Sequence, residues 1–287
     1  MTKPFIAALL SLALLTSCAT SQLPPTTSDA STSNAKITSD ANFNSTLWLQ
    51  TAAEYRANAR QTYNSARQNI QPAIDDREWT AALEQSGDYR QLPPAVVLDI
   101  DETVLDNSPF QARLVLEGGH WNPELWDAWV AQRAARAVPG AVDFLNDLPA
   151  HNVTVILISN RECSPRPGNS DPCPQKADTL ANLQQVGITH ISAEQILLKN
   201  EQPGWGSEKR SRRLVVAGQY RIVMLLGDDL GDFLADVKKG TSVAERGQRV
   251  AEQSQRWGRQ WFMLANPSYG SWLSVVPEPK SDSLISF

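Results

Sequence analysis

Two aspartates, Asp99 and Asp101, stand at i and i+2 at the end of the apolar run Val96-Val97-Leu98, and Thr103 follows two positions later. In a parallel α/β sheet, ligands bind beyond the carboxyl ends of the strands. A buried strand that stops on Asp-x-Asp-x-Thr therefore delivers two acids and a hydroxyl to that place. Carboxylates so close repel, and a divalent cation and a basic side chain are the usual partners that join them. Two further apolar runs also end in polar chemistry. Residues 153–158 lead to Ser159, Asn160 and Arg161, and residues 221–226 lead to Gly227, Asp228, Asp229 and then Asp232. Lys209 lies between them at the start of a basic segment. A phosphate monoester hydrolase needs this set: a nucleophile, an acid for the leaving oxygen, donors for the phosphoryl oxygens, and cations to offset charge.

The elements that must position these groups follow from periodicity. Trp48, Ala52, Tyr55, Ala59, Tyr63, Ala66 and Ile70 recur at steps of four and three, which predicts an amphipathic helix over 45–70. A shorter helix over 79–85 leads to the first strand, 95–100. Residues 104–138 carry Trp121, Trp126 and Trp129 without a strand-length apolar run and read as an inserted cap. Pro139-Gly140 opens a helix through Leu148, with the proline suited to the first helical position. A second strand over 153–158, a loop over 161–175 and a helix over 176–186 ended by Gly187 follow. A short strand near 196–198 precedes a basic helix over 208–217, stopped by Gly218. The third strand is 221–226, followed by a polar helix over 242–256 and a last strand candidate at 261–264. This alternation argues an open parallel sheet with helices on both faces.

In order, spacing and residue type these parts resemble the haloacid dehalogenase-like phosphohydrolases. More narrowly, Val97-Leu98-Asp99-Ile100-Asp101-Glu102-Thr103-Val104-Leu105-Asp106-Asn107 is similar to a signature of the class C acid phosphatases, bacterial lipoproteins of the outer membrane or surface. Gly227-Asp228-Asp229-Leu230-Gly231-Asp232-Phe233 resembles their second signature, and Asn266-Pro267-Ser268-Tyr269-Gly270-Ser271-Trp272 their C-terminal motif. The resemblance implies a Rossmann-like doubly wound parallel sheet with a small, mainly helical cap. It implies Asp99 as nucleophile, forming an aspartyl-phosphate, and Asp101 as the acid that protonates the leaving alcohol. It also implies Mg²⁺ held by the Asp99 and Asp228 carboxylates and the Asp101 carbonyl, with Asp232 acting directly or through water. Ser159 and Lys209 would hold phosphoryl oxygens; Thr103, Asn160, Arg161 and Phe110 would face the substrate. Trp126 and Tyr269 match the positions whose rings clamp nucleoside monophosphates. Phe110 stands where that signature usually has Tyr, and Asp229 where it has Asn, an extra carboxylate that could alter metal affinity.

Ends and composition bound the setting. Lys3 followed by the apolar stretch 5–15 is too short to span a bilayer and closes on Leu15-Thr16-Ser17-Cys18, which resembles a lipobox. Residues 1–17 read as a signal peptide and Cys18 as the lipidated residue, with an ordinary secretory peptide as the alternative. Ala19, where Asp would retain the protein at the inner membrane, favours the outer membrane. Residues 18–42 are Ser-, Thr-, Pro- and Asn-rich and read as a tether. The phosphatase domain is expected over 43–276, with cap elements near 45–90, 104–138 and 240–258, and a tail over 277–287. In an exported chain, Cys163 and Cys173 in a Pro/Gly-rich loop read as a disulfide, two free thiols being the alternative. A net charge of −5 gives no support for a nucleic-acid polymer as partner. The expected partners are a small phosphomonoester, the membrane through the lipid alone, and a second copy of the chain as a homodimer.

Rival readings exist. Lys199, at a strand end, competes with Lys209 as the phosphate lysine. Arg210, Arg212 and Arg213 read as a solvated helix face, and His120, His151 and His190 as loop or surface histidines. A phosphotransferase of the same fold, or a nucleotide- or haem-binding lipoprotein with vestigial activity, are the alternative functions.

Overall fold

The computed structural model describes residues 37, 38 and 40–287. The signal peptide, Cys18 and most of the tether lie outside the described residues. Five strands form one parallel sheet in the order β5-β4-β1-β6-β7: β1 Pro94–Leu98, β4 Thr154–Glu162, β5 Ile196–Lys199, β6 Arg221–Gly227 and β7 Trp261–Met263. The most apolar strands are central because both their faces are covered. In β1, Val96, Leu98 and the following Ile100 face one core, while Ala95 and Val97 face the other. β4 divides likewise, Val155 and Leu157 against Ile156 and Ile158. Each such valine, leucine or isoleucine removed from water contributes about 1.5–3 kcal/mol.

The first core is closed by the helices Ala53–Gln68, Ala141–Asp147 and Pro174–Gln185, through Tyr63, Ala66, Phe144 and Leu183. The second is closed by helix Arg210–Ala217, by Phe233 and Leu234, and by Ala81 and Ala82. Gly140 shows how tightly the first layer packs. Its φ is +95°, and an added Cβ would lie 3.2 Å from the Tyr63 side chain. The helix accordingly starts at Ala141 with Gly140 as its cap, so Pro139 lies outside it rather than at its first position.

Three expectations are corrected. The predicted helix over 45–70 is interrupted: Phe43–Thr51, Ala53–Gln68 and Ile70–Asp75 are separate, with Ala52 extended. Ala53–Gln68 belongs to the core layer rather than to a cap, whereas Phe43–Thr51 packs on the insertion, against helix Ser108–Glu117. Residues 79–85 are not helical. Their hydrogen bonds go to β6 and its approach instead: Trp79 Nε1 donates to the Val223 carbonyl at 2.8 Å, Ala81 N to Ile222 O at 2.8 Å, and Gln85 Nε2 to Ala217 O at 2.8 Å.

The insertion holds two helices, Ser108–Glu117 and Pro123–Gln132, between short strands β2 Leu105–Asp106 and β3 Arg136–Ala137. These strands pair antiparallel and close its base. Helix Val243–Glu252 starts with a capping box between Ser242 and Glu245. Cys163 and Cys173 are joined by a disulfide. Residues 277–287 are largely exposed, and among the described residues no helix is long and apolar enough to cross a membrane.

Candidate active site

β1 ends at Leu98, but its ladder runs on for one residue: Asp99 N donates to Leu226 O at 3.0 Å. That bond fixes the Asp99 carboxylate at the strand tip, 9% exposed, in the floor of a cavity of about 870 Å³. β6 brings Asp228 beside it, and the turn Leu230–Asp232 folds Asp232 back over Gly227. A Cβ at Gly227 would collide with the Asp232 side chain, so only glycine admits this return. Asp99, Asp228 and Asp232 each present an oxygen within 4.8 Å of the others.

One cation holds the cluster together. Lys209, 4% exposed at the N-terminus of helix Arg210–Ala217, pairs with Asp99 and lies 2.6 Å from Asp232 Oδ1. Burial alone would lower its ammonium pKa, but Asp232 and Asp99 outweigh burial and hold it above its ordinary value. Burial pushes the Asp99 carboxyl up to about 7; Lys209 opposes this, while Asp232 and Asp101 add to it. Asp228 is raised well above the usual range by burial, then by Asp99 and Asp232. A site of hard oxygen donors with surplus negative charge fits a divalent cation, which takes carboxylate oxygens at about 2.0–2.6 Å. The residues present fit such an ion.

The other expected site residues fall into two groups. Trp126, Tyr269, Asn160 and Arg161 line the cavity with Asp101. Arg161 turns its guanidinium donors to the protein. It is 2% exposed and donates Nη2 at 2.8 Å and Nε at 3.0 Å to Asp101 Oδ1, and Nη1 to Thr179. Ser159 Oγ also donates to Asp101, at 3.1 Å, and Asn107 Nδ2 does so at 2.9 Å. Asp101 is thus oriented by three donors, none of which the sequence reading linked to it.

Thr103 is fully buried and braces Asp228 (3.3 Å) rather than facing the cavity. Asn160 is taken up by Arg212 and the Ser207 carbonyl. Phe110, 2% exposed, supports Trp126 edge-on at 5.1 Å between ring centroids. Tyr269 donates its hydroxyl to buried Glu102, whose carboxyl burial raises well above its usual range.

Asp229 does not add a ligand to the cluster. Its oxygens accept from Ser271 N (2.6 Å), Ser271 Oγ (2.8 Å) and Gly231 N (2.8 Å), tying the acidic loop to the C-terminal motif. Burial opposes ionisation there, but these bonds prevail and hold Asp229 below the ordinary carboxylate value. The rivals resolve: Lys199 pairs with Glu162 (3.0 Å) at the sheet edge. Arg212 and Arg213 are buried, not solvated. Arg212 donates to the Ser159 carbonyl (2.6 Å), and Arg213 pairs with Glu84 (2.6 Å) and the Asp232 carbonyl (2.9 Å). Asn266, the first residue of the C-terminal motif, donates to Asp228 Oδ2 at 2.9 Å, a contact its sequence position alone does not reveal.

The family described as HAD superfamily, subfamily IIIB (Acid phosphatase) matches residues 5–272. Two solved structures of the class C acid phosphatase from Bacillus anthracis resemble the chain. One, with tungstate bound, has a TM-score of 0.70 at 32% identity, covering 86% of this chain and 97% of the other. The second has a TM-score of 0.69 at 34% identity, covering 88% and 99%. A stem 31 kDa glycoprotein of Glycine max is 30% identical over 144 residues, 49% of this chain; the chain spans about half (52%) of that relative's length. With the sequence match running through both acid-bearing strand ends, and the sheet that carries them matched in space, the chain belongs to the acid phosphatases of HAD subfamily IIIB.

Proposed function

We propose that this protein is a Mg²⁺-dependent phosphatase that hydrolyses nucleoside monophosphates through an aspartyl-phosphate on Asp99. The observation that carries this reading is the strand-tip Asp99 paired with Lys209 beside Asp228 and Asp232. Asp99, Asp228 and the carbonyl of Asp101 would hold Mg²⁺, with Asp232 supporting. The ion, when bound, supplies positive charge against the phosphoryl oxygens and keeps Asp99 ionised.

The chain's own residues do the rest. Asp99 Oδ attacks phosphorus, and the ester oxygen leaves with a proton from Asp101. Arg161, Ser159 and Asn107 keep the Asp101 carboxyl aimed for that transfer and for its return step, in which it takes a proton from the attacking water. Lys209 steadies Asp99 and bears on a phosphoryl oxygen. Tungstate, bound to the Bacillus anthracis enzyme, is a tetrahedral oxyanion like phosphate, which supports the reading of this chain as one that takes a phosphoryl group. Trp126 and Tyr269, both on the cavity wall, supply faces for a base. Stacking there contributes about 1–3 kcal/mol and tolerates different bases.

The test is phosphate release from nucleoside monophosphates, a sugar phosphate and an aryl phosphate, with and without chelator. Chelator-insensitive release, or turnover undiminished in Asp99→Asn, would remove the mechanism. Trp126→Ala is expected to raise KM for nucleotides far more than for a small aryl phosphate, and equal effects would remove the nucleotide preference. We also infer lipid attachment at Cys18 and an outer-membrane location, supported by Leu15-Thr16-Ser17-Cys18 and Ala19 alone. Loss of detergent-phase partitioning in Cys18→Ser tests the attachment.

A further inference from the structure

The Cys163–Cys173 disulfide closes a loop that none of the chemistry above uses, yet an arginine inside it reaches the insertion. Arg166 places Nε 2.6 Å from Asp127 Oδ2 and Nη2 2.8 Å from Asp127 Oδ1, and its Nη1 pairs with Asp178. Asp127 is the chain neighbour of Trp126 on helix Pro123–Gln132, and Asp178 belongs to the core helix Pro174–Gln185. Asp178, 4% exposed, also takes Arg133 at 2.7 Å, the residue that ends the Trp126 helix. Gln175 adds a bond to Asp127 at 2.8 Å while holding Ser164 within the same loop. On its catalytic side the helix is anchored once more, by Trp129 Nε1 donating to Asn107 at 2.8 Å. Arg166, Asp127 and Asp178 do not line the cavity.

We propose that Arg166 is a positioning residue for substrate recognition: the disulfide-closed loop uses it to clamp Asp127, and so fixes the neighbouring Trp126 ring against the cavity. The proposal rests on the reading that Trp126 contacts the base. Two features make the clamp specific. A guanidinium grips a carboxylate in a planar fork that an ammonium cannot reproduce. The disulfide joins residues ten apart, with Cα atoms 4.7 Å from each other, so the loop that carries Arg166 has few conformations to lose when it grips. Asp127 and Asp178 each keep another partner when Arg166 is removed, Gln175 and Arg133, so the fold does not depend on the clamp.

The experiment compares Arg166→Ala, Arg166→Lys and the double change Cys163→Ser with Cys173→Ser in the full chain. KM and kcat are measured for a nucleoside monophosphate and for a small alkyl phosphate, together with amide exchange over residues 123–132. Arg166→Ala is expected to raise KM for the nucleotide about fivefold, as loss of part of one stacking contact would. Its kcat, and its KM for the alkyl phosphate, stay within about twofold of the parent, because the alkyl group makes no stack to lose. Exchange in 123–132 becomes faster. Arg166→Lys recovers only part of the affinity, and the double cysteine change shifts KM in the same direction. If that double variant does not fold, the alanine-to-lysine comparison decides alone. Unchanged exchange with an unchanged KM ratio overturns the clamp. Faster exchange without a KM shift also overturns the positioning role where Trp126→Ala does shift the ratio; where Trp126→Ala shifts nothing, the base-contact reading has failed first.

Discussion

Replacing Asp99 should make the metal-free protein more stable, and the size and pH dependence of that gain follow from the acidic cluster. Asp99 is buried among Asp228, Asp232 and Asp101, and its carboxyl is pushed from an ordinary 3.8 to about 7, first by burial, with Lys209 opposing. An unfolded chain releases this proton near 3.8, whereas the folded one keeps it to about 7. Over that window the folded state binds more protons, so its stability falls as pH rises. A displacement of about three pH units at 1.36 kcal/mol each amounts to about 4 kcal/mol at most, complete above pH 7. Asp99→Asn removes that loss, and Lys209 keeps Asp232 at 2.6 Å. Urea unfolding in chelator should therefore show the variant close to the parent near pH 4 and about 2–4 kcal/mol more stable near pH 8. Added Mg²⁺ should narrow the gap, since the parent gains about 2.7 kcal/mol at a hundred times its dissociation constant and the variant less. A difference that stays flat from pH 4 to 8, or a variant less stable at pH 8 in chelator, refutes the reasoning.

The same cluster sets the protonic cost of loading the ion. Because the metal-free Asp99 and Asp228 carboxyls are raised, Mg²⁺ uptake should release protons near pH 6–7 and weaken on acidification; calorimetry in buffers of different ionisation enthalpy reads this directly, and heats independent of buffer would contradict it. Lys209→Met should lower kcat by about 10²–10³, as loss of one preorganised charge partner does. It should also destabilise the metal-free protein by about 3–5 kcal/mol, because the buried carboxylates lose their cation; a variant with parental stability in chelator would contradict that. Asp229→Asn loses the acceptor that takes Ser271 N at 2.6 Å. It should cost about 1–3 kcal/mol in urea unfolding while leaving Mg²⁺ affinity nearly unchanged, whereas a large change in metal affinity would mean Asp229 reaches the ion after all.

The polar strand ends were legible because each is an apolar run that breaks off on acids or hydroxyls, a pattern a doubly covered strand imposes on its own sequence. Lys209 was legible from its place before a helix. What escaped was whatever depends on partners far along the chain. Arg212 and Arg213 looked solvated because charge is usually exposed, but their acceptors, the Ser159 carbonyl and Glu84, lie 53 and 129 residues away. The resemblance turns Arg161 and Ser159 toward the substrate; their bonds to Asp101 appear only once β4 lies beside β1. Residues 79–85 have helical composition, yet Trp79 and Gln85 spend their donors on carbonyls of β6 and its approach, and that tertiary pull overrides local propensity.

The two-residue ladder of Leu105 with Ala137 and Asp106 with Arg136 has a consequence for how such enzymes diversify. It makes the intervening thirty or so residues a cassette, entering and leaving the sheet layer at one point. Lengthening a surface excursion of this kind costs only about 0.6 kcal/mol per doubling, so ligand preference can be rewritten there by graft or insertion while the strand tips stay in register. The graft would have to keep two seams, one against helix Phe43–Thr51 and one against helix Pro174–Gln185.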